Sequence, residues 1–468
     1  MMKLSFSTIF PFILIITILT YLVSNHIFFW DTVQLGAKHG LHFYDTNFSE
    51  ILLPDAIDSG HVPVFGMYLA LMWKVFGKTL FVSHFTMLPF LFGIVIQSFH
   101  LVKRYVPINY LFYALLLFLL EPTLLGQAAL VSPDIPLVFF FLLSLNSTLS
   151  NNRILLTFGI IGLFLISMRG GMISFAILLL DLYLNYNKSS SKGFWRLVKM
   201  SWSYLPGFLL FCVYNYVHYV NKGWIGYHEN SPWSPSFQHV DFAGFVKNII
   251  VLGWRLLDFG RVFLWIIGLW FAVKYFSKYR KDNKIKELLI IFLVVTICAS
   301  ISFLTYTGLN AHRYILPVYL SFSLLVIYMI FSSEIIQKRW ITSLLCVGLL
   351  SGHLWVYPSH ISQGWDASLA HLHYYDLRKK MLADMDSLNI TIPEVACVYP
   401  NNSEQRYMNL SNDTTKHSAF DHALSTYVLY SNVYNDYTDE DVKVLTEEFK
   451  ITSHHQKMGV FITLYERK

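Results

Sequence analysis

The sequence predicts an all-α polytopic membrane protein with about eleven transmembrane helices, interfacial helices in its first outside loop, and a small C-terminal α/β domain. Three observations predict it. The 468-residue chain is 55% hydrophobic and 17% aromatic, with mean hydropathy +0.47, more apolar than soluble domains are. Apolar runs long enough to span a bilayer recur from Phe6 to Tyr357. Beyond them the composition turns mixed. Residues 358–468 hold 15 acids against 10 Lys/Arg, which leaves residues 1–357 at +11. The expected division is therefore 1–357 in the membrane and 358–468 outside it.

The first span covers about residues 6–27, with Lys3 before it. It resembles a signal sequence, but the bulky stretch His26–Trp30 offers no small-residue cleavage site, so an uncleaved helix is expected. Trp30–Gly77 follows and gathers Asp31, Asp45, Glu50, Asp55 and Asp58, with Lys38, His39, His42 and His61 among them. Its second half, Pro63–Phe76, is apolar but only 14 residues long, which favours a helix lying in the interface. Further spans are expected near 80–102, 108–126, 133–149, 154–168, 172–187, 202–220, 260–276, 287–306, 314–332 and 340–357. Between them lie a basic segment Lys188–Lys199 (with Lys192 and Arg196) and a loop 221–241 carrying Trp224, Pro232, Trp233 and Pro235. A second surface helix, Phe242–Leu257, and a basic run, Lys274–Lys286, complete the set.

With the N-terminus inside, Lys103-Arg104, Arg153, the 188–199 segment, the 274–286 run and Lys338-Arg339 all fall on the inner side. The basic excess is then topology rather than affinity for nucleic acid, and no basic–aromatic nucleic-acid module is present. The outer side receives the acid-rich stretch, residues 121–134, Arg169, the Trp/Pro loop, residues 308–313 and the tail. Three of the four cysteines lie in apolar runs and only Cys397 in the tail, so neither a disulfide framework nor a CxxC zinc pattern can form. In the tail, 376–388 and 439–449 (Thr438 as N-cap) read as helices. Residues 394–400, 425–434 and 459–467 read as strands. It offers no catalytic motif.

Four charged residues on the outer side bear on chemistry. Asp31, just beyond the first span, is either a base held at the membrane surface or a plain loop carboxylate. Asp134, between Pro133 and Pro136, is either a functional acid or a helix-start carboxylate stabilised by the helix dipole. Arg169 interrupts two apolar runs in LISMRGGMISF, where an ionisable group is costly. It suits a phosphate, or pairs with an acid such as Asp134. Arg313, followed by Tyr314, repeats the pattern before a late span. Together these residues suit a reaction between a lipid phosphate and a polar acceptor. The arginines would balance the departing phosphate and a carboxylate would deprotonate the attacking group. Within the opening stretch Asp31 and His61 carry this reading. Asp45 and Glu50 read as solvated, and Asp55 and Asp58 stay open, Asp58 being a further candidate for substrate contact.

At these positions the chain resembles the GT-C polytopic glycosyltransferases, in the branch of protein O-mannosyltransferases and lipid A aminoarabinose transferases. The resemblance covers roughly residues 1–350. It rests on Asp31 after span one, on a GHPPL-like element (Gly60-His61-Val62-Pro63-Val64) running to Phe76-Gly77, on Pro133-Asp134, on Arg169-Gly170 and on Arg313-Tyr314-Ile315-Leu316-Pro317. Val62 stands where that element has its first proline, and Thr32 where the mannosyltransferases have the second acid of a DE pair. The resemblance implies an inverting transfer from a polyprenyl-phosphate-linked sugar donor to a lipid, glycan or protein acceptor. It implies Asp31 as base or orienter of the acceptor, Asp134 in the same cavity, and Arg169 in place of a phosphate-contacting lysine. His61 would contact phosphate or acceptor, and Arg313-Tyr314 would support the site. No cofactor and no metal is expected. The implied setting is a bacterial inner membrane, with site and tail facing the periplasm; a eukaryotic endoplasmic reticulum membrane is the alternative setting. A lipid-linked glycan transporter or flippase is the competing class, and a glycan polymerase or ligase a third.

Overall fold

The computed structural model describes residues 2–186, 193–229, 234–358 and 361–468, so Lys188, Lys192, Pro232 and Trp233 lie outside the described residues. The apolar runs become helices because a helix satisfies its own backbone groups where no water can. In order these are α1 (Met2–Val23), α2 (His39–Asp45), α3 (Val64–Phe76), α4 (Leu80–Phe85), α5 (Leu88–Tyr105), α6 (Leu111–Leu119), α7 (Pro122–Ala128), α8 (Asp134–Leu149), α9 (Arg153–Ile166) and α10 (Met168–Asn185). They continue with α11 (Phe194–Ser201), α12 (Leu205–Lys222), α13 (Phe242–Leu257), α14 (Arg261–Lys274), α15 (Phe276–Tyr279), α16 (Asn283–Thr305), α17 (Leu316–Ser332) and α18 (Lys338–Ser351).

Among the described residues, Leu80–Tyr105, Met168–Asn185, Asn283–Thr305 and His312–Ser332 are each long and apolar enough to cross a membrane. Three bent pairs, α6–α7 (69°), α11–α12 (64°) and α13–α14 (87°), raise the number to seven if each counts as one span. Shorter apolar helices, α1, α8 and α9 among them, add to the bundle. The protein is thus a multi-pass integral membrane protein. The span that ends in α17 is 94% buried, so α17 is the central helix, and Arg313 sits in the short turn His312–Ile315 that leads into it. The α6–α7 break has a local cause. Glu121 caps α7 by accepting from Leu124 N at 2.6 Å, and Pro122 occupies its first turn. The stretch after α1 is more ordered than a loop: a π-helical turn, Val33–Lys38, runs directly into α2.

Beyond the bundle, α19 (Leu372–Ser387) packs on a five-stranded sheet of order β2-β1-β3-β5-β4. The strands are β1 (Val395–Cys397), β2 (Ser418–Ala419), β3 (Tyr427–Ser431), β4 (Phe449–Lys457) and β5 (Val460–Arg467). β1 pairs in parallel with β2 and β3, while β5 is antiparallel to β3 and β4. Two short helices, α20 (Arg406–Asn409) and α21 (Asp439–Glu448), complete it; Thr438 caps α21 in a box with Asp441. The expected helices and three strands are present. β4 escaped the sequence reading because it is an edge strand of polar residues (SHHQ), exposed along most of its length. The sheet's core reaches into the membrane part of the chain. Phe29, fully buried, packs against Tyr374 at a ring separation of 4.8 Å and against Tyr434 at 6.2 Å.

Candidate active site

Four elements deliver charge to one end of the bundle. Asp31 follows Trp30, whose positive φ of 48° turns the chain out of the loop after α1 and into the π-helical turn. Trp30 is fixed from both sides: its indole Nε1 donates to Val433 O at 3.1 Å, and Tyr399 Oη donates to its carbonyl at 2.8 Å. Asp134 is the first residue of α8, on the positive end of the helix, as the helix-start reading expects. Arg169 lies in the first turn of α10, its amide capped by Ser167 Oγ at 3.3 Å. The glycine after it is obligatory: a Cβ on Gly170 would meet Leu163 O at 1.7 Å, so α10 can start this close to α9 only without a side chain there.

Arg313 is the hub. Its guanidinium pairs with Asp31 through Nη2 and with Asp366 through Nη1, and its Nε lies 3.5 Å from Asp134 Oδ2. Arg169 Nη1 lies 2.7 Å from Asp134 Oδ1, an ion pair without the alignment of a hydrogen bond. Tyr314 sits between the two cations, 4.3 Å from the Arg169 guanidinium and 5.0 Å from that of Arg313. Two arginines and three carboxylates thus form one cluster, and its pairings differ in tightness. Arg313 is held by three acids, whereas Arg169 faces one and its side chain keeps 18% exposure.

Two small pockets flank this cluster and share Leu35 and Pro133. One is acidic, lined by Asp31, Asp134 and Asp366 with Arg313, beside Phe29 and Trp30. The other is lined by His39, His61, Arg169 and apolar residues. Burial pushes the His61 imidazole down to about 4, with Arg169 adding to the shift and Asp134 opposing it, so the ring is neutral at pH 7. Its Nδ1 is buried with no hydrogen-bond partner among the described residues. Asp366 sits in a buried site that by itself would raise its carboxyl, but the Arg313 guanidinium holds it below the usual range.

Of the residues singled out in the sequence, Asp31, Asp134, Arg169, Arg313, Tyr314 and His61 converge here. Asp58 goes elsewhere. It accepts from His218 Nε2 at 3.0 Å and from Gly60 N at 2.9 Å, with Lys222 Nζ at 3.7 Å, and so ties the loop between α2 and α3 to the end of α12. Asp55 pairs with the same Lys222 at 2.5 Å, while Asp45 and Glu50 are exposed. Asp366 was not foreseen, because it belongs to the tail. The sequence carries one trace of it: the dipeptide Trp-Asp occurs at 30–31 and again at 365–366. Gln127 of α7 also joins the site, donating to Asp366 O at 2.9 Å and to its Oδ2 at 3.2 Å. Among the described residues, no group of three or more His, Cys, Asp or Glu converges as a metal site.

Burial lowers the His39 imidazole from 6.5 to about 3, against a hydrogen bond to Ile57 O that opposes the shift. The unfolded chain therefore binds more protons than the folded one below pH 6.5, and stability falls as pH drops from there toward about 3. At pH 4 the loss is expected to be about 3 kcal/mol from this histidine. Melting curves of the purified protein between pH 7 and 4, for wild type and His39→Gln, check it: the substitution should remove part of the acid-induced drop.

No family model matches the chain, and no curated protein sequence matches it. Solved structures do. The chain aligns with the crystal structure of ArnT from Cupriavidus metallidurans bound to undecaprenyl phosphate at TM-score 0.54 and 12% identity, covering 98% of both chains. Its apo state aligns at TM-score 0.52 and 12% identity, covering 97% of both. The alignment includes the tail, which the short motifs did not reach, and it bears out the resemblance at the level of fold. Over almost its whole length, bundle and C-terminal sheet together, this chain has the GT-C fold of the lipid A aminoarabinose transferases.

Proposed function

We propose that the protein is an inverting membrane glycosyltransferase that moves a sugar from a polyprenyl-phosphate carrier to a lipid, glycan or protein acceptor. The single observation that carries this reading is the convergence of Asp31, Asp134, Arg169 and Arg313 on two adjoining pockets at one end of an apolar bundle. Isolated charges at membrane depth are expensive, and a cluster that keeps a carboxylate and a loosely paired arginine beside open space is arranged for a ligand. Asp31, 32% exposed at its side chain and lining the acidic pocket, takes the proton of the acceptor hydroxyl or amine. The acceptor atom attacks the anomeric carbon from the face opposite the phosphate. The carbon–oxygen bond to phosphate breaks, and polyprenyl phosphate leaves with the electron pair. Arg169, whose pairing is the looser, meets the phosphate, and the neutral His61 beside it offers a hydrogen bond. Asp134 orients Arg169. Residues 1–357 form the catalytic body and 358–468 a domain that closes over it. In this reading the site and tail face the outside of a bacterial inner membrane. The crystallised ArnT is bound to undecaprenyl phosphate, and its likeness in fold makes that lipid the natural first probe.

The test uses purified protein in nanodiscs with undecaprenyl phosphate and a panel of radiolabelled undecaprenyl-phosphate sugars. Arg169→Ala is expected to raise the Kd for undecaprenyl phosphate about 10- to 100-fold, the weight of a charge-assisted contact. If wild type consumes no donor but carries a lipid-linked glycan across vesicles, the protein is a transporter and this reading falls.

A further inference from the structure

The chain places a residue of its C-terminal tail inside the site. Residues 364–371 form a strap at the start of the tail, which crosses α7 and leads directly into α19. Its seat is built for close approach. A Cβ on Gly126 would lie 2.7 Å from Asp366 O and 2.8 Å from Ser368 N, so the strap rests directly on the backbone of α7. Gln127 locks it from beside, donating to the Asp366 carbonyl and carboxylate, and Ser132 Oγ donates in turn to Gln127 Oε1 at 2.5 Å. The carboxylate so fixed holds one end of the Arg313 fork, while Asp31 holds the other.

We propose that Asp366 is a positioning residue of the transfer reaction, which shares the Arg313 guanidinium with Asp31 and thereby keeps Asp31 basic enough to take the acceptor proton. The proposal rests on the reading of Asp31 as the base. Its physics is a competition for one cation. A guanidinium paired with Asp31 alone would stabilise the ionised carboxylate and make it a poorer base. A second carboxylate on the same fork spreads that charge. When Asp31 takes up the proton its hold on Arg313 weakens, and Asp366, braced by Gln127 rather than by substrate, keeps the guanidinium in place. The other groups around this pair are named by their elements. Asp134 approaches from α8, and Tyr399 and Asp436 from the tail face Asp31. His312 and His371 face Asp366.

The experiment is the pH dependence of kcat and of donor KM, with whichever undecaprenyl-phosphate sugar wild type accepts. Asp366→Asn is expected to lower kcat about 10- to 100-fold, to leave donor KM within about threefold, and to move the acid limb of the kcat profile to lower pH by about one unit. Asp366→Glu, which keeps the charge, should return the limb to its wild-type position. A lower kcat with an unmoved limb, or no change at all, overturns the proposal and leaves the strap a structural tie. Should Asp366→Asn not fold, Gly126→Ala decides, because it presses on the strap while keeping the carboxylate: a shifted limb supports the proposal and an unshifted one overturns it. A wild type that transfers from no donor, or an Asp31→Asn protein that transfers fully, defeats the parent reading instead and is recognised as such before any Asp366 variant is compared.

Discussion

Asp31→Asn is expected to lower transfer about 10²- to 10⁴-fold, the range for removing a positioned general base, while undecaprenyl phosphate binds as in wild type. The asymmetry follows from the site. Asp31 lines the acidic pocket with Asp366 and Arg313, whereas Arg169 and His61 line the neighbouring one. An asparagine keeps the shape and can still accept from Arg313, so the loss isolates proton transfer from architecture. Single-turnover transfer and a binding titration on the same preparation check it. Full transfer by Asp31→Asn would remove the residue from the base role.

The second large effect is on stability. Arg261 at the start of α14 donates from Nε to Glu121 Oε1 at 2.8 Å and from Nη2 to Thr123 Oγ1 at 2.5 Å, with its guanidinium 3.7 Å from the Tyr319 ring centroid. Both side chains of the pair are almost wholly buried, at 3% and 1% exposure. Glu121 also caps α7, the helix on which the strap rests. Arg261→Met should therefore leave a buried carboxylate without its partner and cost about 3–5 kcal/mol. Glu121→Gln with Arg261→Met should cost less than Arg261→Met alone, because no uncompensated charge remains. Thermal unfolding in detergent of wild type and the two variants tests this, and an Arg261→Met protein as stable as wild type would show that the pair contributes nothing.

Much of this protein is legible in its sequence, and the reason differs by feature. The apolar runs predict helices because lipid leaves the backbone no other solution. Arg169 stood out because charge is costly where it interrupts two apolar runs, and Asp31, Asp134 and Arg313 because each sits at the end of an apolar run. The same argument is silent for Asp366. In a tail of mixed polarity an acid is unremarked, and only packing against Gly126 and Gln127 turns it inward.

Asp58 shows the converse. Its acid-rich neighbourhood made it a site candidate, yet one loop geometry delivers it to His218 and Lys222. The sequence by itself determined the helices and four members of the charged cluster, because local composition and the cost of charge in lipid decide those. Only the tertiary structure decided which carboxylate shares which guanidinium, because ion pairs form through space, between residues as far apart in the chain as Asp31 and Arg313.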